Sequence, residues 1–326
     1  MKFGVFLSDA DVRDGNVLTA VEASVGFERD GFYSVSVNDH FYSPLGSPQS
    51  NQLECFTTLT AIAGATSKIK LVPAVAAASF RSPPLLAKII SALDQASNGR
   101  FISGLGAGWQ DKEYLAHGYE FPPLKVRLEQ LDETIQIVKL MCSQESPAFK
   151  GKYFEIYDAY NNPRPVQDKI PLMLGGSGTG LLRIAAREAD ILNIIPPTGN
   201  GKDFINDKPA TLRFTMEVLK QRINLLHQFL EEAGRSASSV ELGGLALVGL
   251  SHKENDEELV AIANHLGFPS LSDAQHSPVA LLGTAAQVVE EIQKRKEETG
   301  ITYYIIVMAT KNTREIFVEE VMPNFI

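Results

Sequence analysis

The sequence predicts a barrel in which β-strands and α-helices alternate, the TIM or (β/α)8 barrel. Short apolar runs alternate along the chain with segments of helical period, a pattern typical of parallel strands buried on both faces. The length of 326 residues also fits, because a typical barrel has roughly 250 residues and insertions can supply the remainder. The alternative is an open doubly wound sheet, but that fold usually places phosphate-binding glycines after its first strand. The segment Phe6-Leu-Ser-Asp9 has none.

Eight apolar runs are the strand candidates, and amphipathic helices are predicted between them. In one such helix, an apolar stripe from Leu85 to Leu93 follows Ser82, which can cap a helix, and Pro83, which suits a first helical position. Thr284-Ala-Ala-Gln287 has the form of a capping box and predicts the start of another helix. In chain order, the predicted strands are Lys2–Leu7, Tyr33–Val37, Lys70–Ala76, Phe101–Gly104, Pro171–Leu174, Ile191–Ile195, Glu241–Val248 and Tyr303–Met308.

Three loop-rich insertions are expected within a single domain that spans residues 1–326. They lie near residues 143–170, where two aromatic runs suggest a small hairpin, near residues 198–209, and near residues 265–282. In a barrel the active site is built from loops at the carboxyl ends of the strands, so insertions there usually shape substrate access.

Composition narrows the choice of partner and compartment. The net charge of −9 argues against nucleic acid and against an anionic membrane surface, which leaves a small molecule as the expected partner. The start, Met1–Leu7, has one lysine and only a short apolar run, so it is interpreted as a strand and not as a signal peptide or membrane span. Cys55 and Cys142 have no metal-ligand spacing, which favours a reduced cytoplasmic interior over secretion.

Two glycine-rich segments follow predicted strands. Gly104-Leu-Gly-Ala-Gly-Trp109 closes one strand, and Leu172-Met-Leu-Gly-Gly-Ser-Gly-Thr-Gly180 ends another and continues into a helix. Glycine lets a ligand approach the backbone closely, and a helix N-terminus attracts anions. We therefore expect a phosphate between Gly106–Gly108 and Gly176–Gly178. The alternative is that these glycines only form the tight turns that strand–helix connections favour.

A series of motifs in this order resembles the bacterial-luciferase-like family of flavin and deazaflavin oxidoreductases. The match is close over residues 1–195 and continues as a pattern beyond them. The segments that carry it are Asn38-Asp-His-Phe41, Phe80-Arg-Ser-Pro-Pro84, Leu93-Asp-Gln-Ala-Ser-Asn-Gly-Arg100 and Gly104-Leu-Gly-Ala-Gly-Trp109, followed by Glu113, Gly118, Phe121-Pro122 and Arg127.

The resemblance implies a cofactor at the carboxyl face of the barrel, either FMN or the 5-deazaflavin coenzyme F-420, in a homodimer. The helices after strands one to four would form the dimer contact. It also implies a cis peptide in a bulge of strand three, at Ala74 and Val75. The residues expected to contact the cofactor are Asp39, His40, Ala74, Val75, Ala76, Gly106, Ala107, Gly108, Trp109, Gly175, Gly176, Ser177 and Gly178.

His40 is the residue expected to carry the chemistry. It follows the second predicted strand, and histidine ordinarily changes charge between about pH 5 and 8, so it suits donation of a proton to a ring or a carbonyl. Two carboxylates are further catalytic candidates, Asp9 at the end of strand one and Glu54 at the start of the second helix. For His40 the alternative is a packing role, and for the carboxylates it is a helix cap or a solvated charge.

These residues predict an oxidoreductase that transfers hydride between coenzyme F-420 and a small organic substrate. One alternative is a luciferase-like monooxygenase that uses reduced FMN and O2, and another is a non-catalytic flavin-binding barrel. A TIM-barrel hydrolase usually presents metal-binding histidine and aspartate pairs at strand ends, whereas only His40 of the six histidines lies at such an end, so no metal is expected. Trp109 is expected to form a wall of the pocket. It occupies a position that resembles a catalytic glutamate in the family's sugar-phosphate dehydrogenases, which argues against that substrate.

Overall fold

The strands form a parallel barrel. A computed structural model describes residues 1–8, 11–12, 15–44, 47–197 and 207–325. Each of the eight predicted runs overlaps a strand of the main sheet. In chain order the strands are β1 (Lys2–Phe6), β2 (Ser34–Val37), β3 (Lys70–Pro73), β4 (Ala76–Ala77), β5 (Ser103–Gly106), β6 (Phe149–Lys150), β7 (Glu155–Ile156), β8 (Leu172–Gly175), β9 (Ile191–Ile194), β10 (Glu241–Leu250), β11 (Ala280–Gly283) and β12 (Tyr303–Met308).

The main sheet closes on itself through an interrupted third strand. Hydrogen-bonded neighbours follow the order β3, β2, β1, β12, β10, β9, β8, β5 and β4, so β3 and β4 end the path. Only residues 74 and 75 separate these two strands, and their peptide bond is cis, as expected. Leu71 of β3 also bridges to Phe101, the residue that leads into β5. The predicted TIM barrel is therefore confirmed, although the run expected over Lys70–Ala76 is divided at its bulge.

Strand β11 corrects the expectation that residues 265–282 form only a loop-rich insertion. Residues 280–283 pair with 247–250 of β10. Leu247 and Val248 also pair with β12, on one edge of β10. Strand β11 therefore lies on the other edge of β10, where the first residues of β10 pair with β9. The sequence did not reveal this strand because its apolar run is short and follows the polar segment 275–278. Its partner is the long end of β10, which extends beyond β9.

Helices surround the sheet and largely follow the predicted pattern. The capping box at Thr284 and Gln287 is present. Helix α3 does begin at Pro83, but the Ser82 side chain makes no capping hydrogen bond. The helices are α1 (Val17–Arg29), α2 (Cys55–Ala65), α3 (Pro83–Ser97), α4 (Asp111–Ala116), α5 (Leu124–Ser143), α6 (Thr179–Glu188), α7 (Lys208–Arg213), α8 (Met216–Glu232), α9 (Glu257–His265), α10 (Leu271–Gln275), α11 (Ala285–Thr299) and α12 (Thr313–Ile316). Short 3-10 turns at Ala78–Phe80, Ala237–Ser239 and Met322–Asn324 and a π-helical segment at Phe317–Val321 also occur.

Two apolar layers place the cavity of the barrel. A large cluster lies between the sheet and the surrounding helices. A small inner cluster fills the barrel interior and includes Val72, Met173 and Tyr303. Phe6 and Leu245 pack against this inner cluster and also line the cavity above it. The interior is therefore filled at one end and open at the carboxyl ends of the strands.

The first insertion contains the expected hairpin, in which β6 and β7 pair antiparallel. The Glu133 carboxylate of α5 accepts the backbone N–H groups of Lys152, Tyr153 and Phe154 and holds the hairpin against the barrel. Most of the expected insertion at 198–209 lies outside the described residues, which resume at Asp207. In the described part of the chain, no helix combines the length and apolar character needed to cross a bilayer.

Candidate active site

A cavity of about 440 Å³ opens at the carboxyl ends of the strands, and most of its walls are apolar. All thirteen residues expected to contact a cofactor line this one cavity. They come from strand ends that are far apart in sequence, which parallel strands bring to the same edge of the barrel. The structure thus gathers these residues in one place, and their role in binding stays a prediction.

His40 lies on the wall of the cavity and is held by a buried carboxylate. Its Nδ1 atom is 2.8 Å from Oε2 of Glu113, and Glu113 is completely buried. The backbone N–H of Phe41 donates to Oε1 of the same carboxylate at 2.5 Å. The Trp109 ring packs edge-on against the imidazole, with 5.4 Å between the ring centroids. The imidazole is therefore fixed on two sides while it remains part of the cavity wall.

Asp39 is engaged by the protein and holds the bulge of the third strand. Both Nη atoms of Arg81 donate to its carboxylate, at 2.7 and 3.0 Å. The backbone N–H of Ala77 in β4 donates to it at 3.1 Å. Asp39 therefore fixes β4 relative to the end of β2, directly beside His40.

Glu54 does not line the cavity, and its carboxylate has structural contacts. It caps α2 by accepting the Thr57 N–H, and it forms an ion pair with Arg81 at 2.8 Å. Burial acts against its charge, but the hydrogen bonds from Thr57 and the positive charge of Arg81 outweigh burial and lower the pKa of Glu54. Such a carboxylate stays ionised at neutral pH and is a poor proton donor. The other catalytic candidate, Asp9, lies outside the described residues.

The first glycine segment is packed tightly against the protein. A Cβ atom on Gly104 would lie 1.8 Å from the carbonyl oxygen of Pro73, and one on Gly108 would lie 1.9 Å from the Tyr114 hydroxyl. Gly108 also has a φ of +74°. Arg127 also holds this segment, because its Nη1 donates to the carbonyl oxygens of Ala107 and Gly108. Most of the space around these glycines is therefore occupied by neighbouring protein atoms.

The second glycine segment is open at one position, Gly178. A Cβ atom on Gly178 would meet nothing within 4 Å. Gly178 is the N-cap of α6, and it makes no side-chain capping bond. The Ser177 side chain beside it is 2% exposed, and its hydroxyl has no hydrogen-bond partner. An unpartnered buried hydroxyl at a helix N-terminus on a cavity wall is a suitable anion site.

An aromatic group closes the cavity near α4. The Tyr114 ring packs against Phe80 and Phe121, with centroid distances of 4.5 and 5.0 Å, and its hydroxyl lies 2.6 Å from Ser79 Oγ. Burial raises the pKa of Tyr114 to about 12, so the phenol stays neutral and serves as a wall. Among the described residues, no group of three or more His, Cys, Asp or Glu side chains is arranged to hold a metal ion.

The catalytic predictions from the sequence missed Glu113, Arg81 and Arg127. All three lie in motifs that carried the family resemblance. Each holds another part of the site in place: Glu113 holds His40, Arg81 holds Asp39, and Arg127 holds the first glycine segment. A charged residue just after a glycine segment or a strand is usually solvated, so charge alone did not single them out. The usable signal was their position within ordered motifs.

Comparison with known proteins identifies the family. The family model described as luciferase-like monooxygenase matches residues 1–208. The chain belongs to this family. Members of the luciferase-like family are oxidoreductases, so the chain is an enzyme of that class.

Relatives of this chain include dehydrogenases and monooxygenases. An F420-dependent glucose-6-phosphate dehydrogenase from Amycolatopsis mediterranei is 28% identical over 273 residues, which cover 83% of this chain and 76% of the relative. The pyrimidine monooxygenase RutA from Acinetobacter baylyi is 35% identical over 144 residues, 43% of this chain and 38% of the relative. A solved F420-dependent secondary alcohol dehydrogenase has a TM-score of 0.79 at 21% identity and covers 99% of this chain and 98% of its own. This structural likeness supports the barrel fold.

Proposed function

We propose that this protein transfers hydride between coenzyme F-420 and a small organic substrate. The observation that carries the proposal is the pairing of His40 with the buried Glu113 on one wall of an apolar cavity. The same cavity offers an open helix N-terminus with the unpartnered Ser177 hydroxyl. A ring cofactor needs an apolar seat, a group beside its reactive face and a site for its phosphate.

The residues that would hold the cofactor fit it. The Ser177 hydroxyl and the first backbone N–H groups of α6 would bind the phosphate. The bulge at residues 74–77 would support the ring, because Val75 fills the space that side chains on Gly106 and Gly175 would otherwise occupy. When bound, coenzyme F-420 supplies or accepts the hydride.

His40 is the proton carrier in this proposal. A carbon that loses hydride from an alcohol also has to lose the hydroxyl proton, and the reverse reaction needs that proton back. The imidazole is the group on the described cavity wall that suits this task, because histidine exchanges a proton near neutral pH. Asp39 and Arg81 hold the neighbouring backbone, so they orient His40 without exchanging a proton.

The named relatives support coenzyme F-420 and leave the substrate open. Both the dehydrogenase from Amycolatopsis mediterranei and the solved alcohol dehydrogenase are F420-dependent by name. Trp109 lines the cavity at the position that resembles a catalytic glutamate in sugar-phosphate dehydrogenases, so we do not expect glucose 6-phosphate to be the substrate. The test panel should contain alcohols, ketones, imines and activated alkenes.

A monooxygenase that uses reduced FMN and O2 is the second candidate. The similarity to RutA favours it, because that short match has a higher identity than the longer dehydrogenase match. A non-catalytic flavin-binding barrel is the third, and it would have no need for a histidine held by a buried carboxylate.

Replacement of His40 distinguishes an enzyme from a non-catalytic flavin-binding barrel. His40→Ala should leave the affinity for coenzyme F-420 within a few-fold and lower turnover by roughly 10²- to 10⁴-fold, the usual worth of one general acid or base. His40→Asn, which keeps a donor and cannot titrate, should recover part of the rate and flatten the pH profile. Parent-level turnover of a confirmed substrate by both variants would show that His40 only packs.

We also propose a cytoplasmic homodimer built from one domain. Helix α2 contains no charged residue, and α1 exposes Leu18 and Val25 at 62% and 42%. Exposed apolar side chains on α1 beside the uncharged helix α2 suit a symmetric contact between two copies. Free Cys55 and Cys142 suit a reducing compartment. Sedimentation that finds only monomer at micromolar concentration would exclude the dimer.

A further inference from the structure

We propose that Glu113 is a positioning residue that fixes the tautomer of His40 and directs the lone pair of Nε2 towards the substrate. The inference rests on the proposed function, because it explains how His40 is prepared to take a proton. It assigns a task to a carboxylate that touches neither the cofactor nor the substrate in this scheme.

Glu113 is placed for this task by helix α4. It lies in the first turn of that helix, four residues after Trp109, and it is completely buried. One carboxylate oxygen faces His40 Nδ1 at 2.8 Å, and the other accepts the Phe41 backbone N–H. A single carboxylate therefore holds the imidazole and the backbone that follows it. Both oxygens are used, so the carboxylate cannot rotate without losing a hydrogen bond.

Among the described residues, the Glu113 carboxylate contacts one nitrogen of an ionisable side chain. The only Lys, Arg or His nitrogen within 4.0 Å of its carboxylate there is His40 Nδ1. A buried carboxylate is costly unless it is paired and hydrogen-bonded. The hydrogen bonds from His40 Nδ1 and the Phe41 N–H therefore offset part of the cost of burying Glu113.

Four other ionisable side chains near the pair are engaged elsewhere, exposed or neutral. Asp39 is held by Arg81, and Asp111 lies exposed at the start of α4. Burial, followed by the negative charges of Glu113 and Asp111, raises the pKa of Tyr42. Burial raises the pKa of Tyr114 as well. Both phenols therefore stay neutral at neutral pH.

The tautomer follows from the geometry. An ionised carboxylate has only acceptor oxygens, so Nδ1 of neutral His40 must carry the hydrogen. The lone pair is then on Nε2, at the other side of the ring. No described residue makes a hydrogen bond with Nε2, which leaves it available to a ligand in the cavity.

A glutamine at this position would reverse the arrangement. The amide of Glu113→Gln has one oxygen and one NH2 group, so it can accept the Phe41 N–H only by turning its NH2 group towards Nδ1. The NH2 group would donate to Nδ1 and place the imidazole hydrogen on Nε2. The fold would keep its hydrogen-bond count, and His40 would lose its ability to accept a proton from substrate.

The first experiment observes the unaltered protein and uses one variant only to assign its signals. Nitrogen-15 NMR of the purified protein before cofactor is added reports which imidazole nitrogen carries the hydrogen, and the spectrum of His40→Asn identifies the His40 signals among the six histidines. We expect the Nδ1–H tautomer when the ring is neutral. The Nε2–H tautomer in the unaltered protein would overturn the proposal.

The second experiment compares two substitutions of carboxylates that accept backbone N–H groups. Glu113→Gln should show the Nε2–H tautomer, and its turnover with coenzyme F-420 and a confirmed substrate should fall about 10²- to 10⁴-fold, as expected when the base has the wrong tautomer. Glu133→Gln is the matched control, because Glu133 only holds the hairpin. It should leave the tautomer unchanged and turnover within about threefold.

Three results would contradict the proposal. In the first, Glu113→Gln keeps the Nδ1–H tautomer and its rate. In the second, it loses the rate with the tautomer unchanged, which indicates a structural role. In the third, the tautomer changes and the rate does not. If Glu113→Gln fails to fold, the spectrum of the unaltered protein decides. Failure of the cofactor proposal is separate, because it would appear as absent binding of coenzyme F-420 while the NMR result stands.

Discussion

The two glycine segments at the mouth of the barrel look alike in sequence and differ in what surrounds them. Around Gly104 and Gly108, atoms of Pro73 and Tyr114 occupy the space that a side chain would take. Around Gly178 that space is empty, and the neighbouring Ser177 hydroxyl is buried without a partner. The first segment has glycine mainly because the protein packs against it. The second has an opening that a ligand can use.

The difference teaches that glycine alone does not mark an anion site. We expected the phosphate to lie between the two segments, at Gly106–Gly108 and Gly176–Gly178. The geometry now assigns the phosphate in our proposal to the second segment, at the N-terminus of α6, and a wall to the first. Side chains on Gly106 and Gly175 would both meet Val75, so these two glycines seat the bulge of the third strand.

The largest effect should come from adding a methyl group to the packed segment. Gly108→Ala places a Cβ atom on the buried Tyr114 hydroxyl and forces a left-handed backbone on alanine, at a total cost of about 2–5 kcal/mol in the free energy of unfolding. Gly118→Ala is the control, because Gly118 has a φ of +76° and open space around it. Urea unfolding should show about 1–2 kcal/mol for the control. Equal losses would mean that packing does not explain Gly108.

The next effect separates folding from binding at the open segment. Gly178→Leu should change the free energy of unfolding by less than about 1 kcal/mol, because the backbone there has an ordinary φ of −68° and the side chain meets open space. Affinity for coenzyme F-420 should fall at least a hundredfold, about 2.8 kcal/mol. Gly178→Ala should lie between the two proteins. Unchanged affinity in the leucine variant would place the phosphate elsewhere.

A smaller effect is expected from the unpartnered hydroxyl. Ser177→Ala should weaken binding of coenzyme F-420 about tenfold, because a hydrogen bond to a charged group contributes about 1.5 kcal/mol or more. Ser103→Ala is the matched control, because Ser103 is also buried with an unpartnered hydroxyl but does not line the cavity. Calorimetric titration should find the control within about twofold of the parent. Equal weakening by both would remove Ser177 from the site.

The sequence was sufficient for the fold and for thirteen residues of the cavity wall. Buried parallel strands leave a continuous apolar run, so the barrel followed from local pattern, whereas most of the cavity-wall residues came from the family resemblance. The cis peptide between Ala74 and Val75 came from the family resemblance alone. No propensity of the two residues would have indicated it.

The contacts between side chains could not be read from the sequence. Glu54 and Glu113 both follow a cavity segment, yet one caps α2 in contact with Arg81 and the other holds His40. Glu54 is the N-cap of α2, whereas Glu113 lies within the first turn of α4. Strand β11 was missed for a related reason, because its partner is the extended end of β10 and not a feature of its own residues.

The measurement that tests the central claim most directly is a binding titration with two cofactors. Trp109 is the only tryptophan of the chain and lines the cavity, so its fluorescence reports a ligand there. We predict that coenzyme F-420 quenches it with an affinity at least tenfold higher than that of FMN, a difference of about 1.4 kcal/mol. An affinity for FMN at least tenfold higher than for coenzyme F-420 would contradict the deazaflavin assignment.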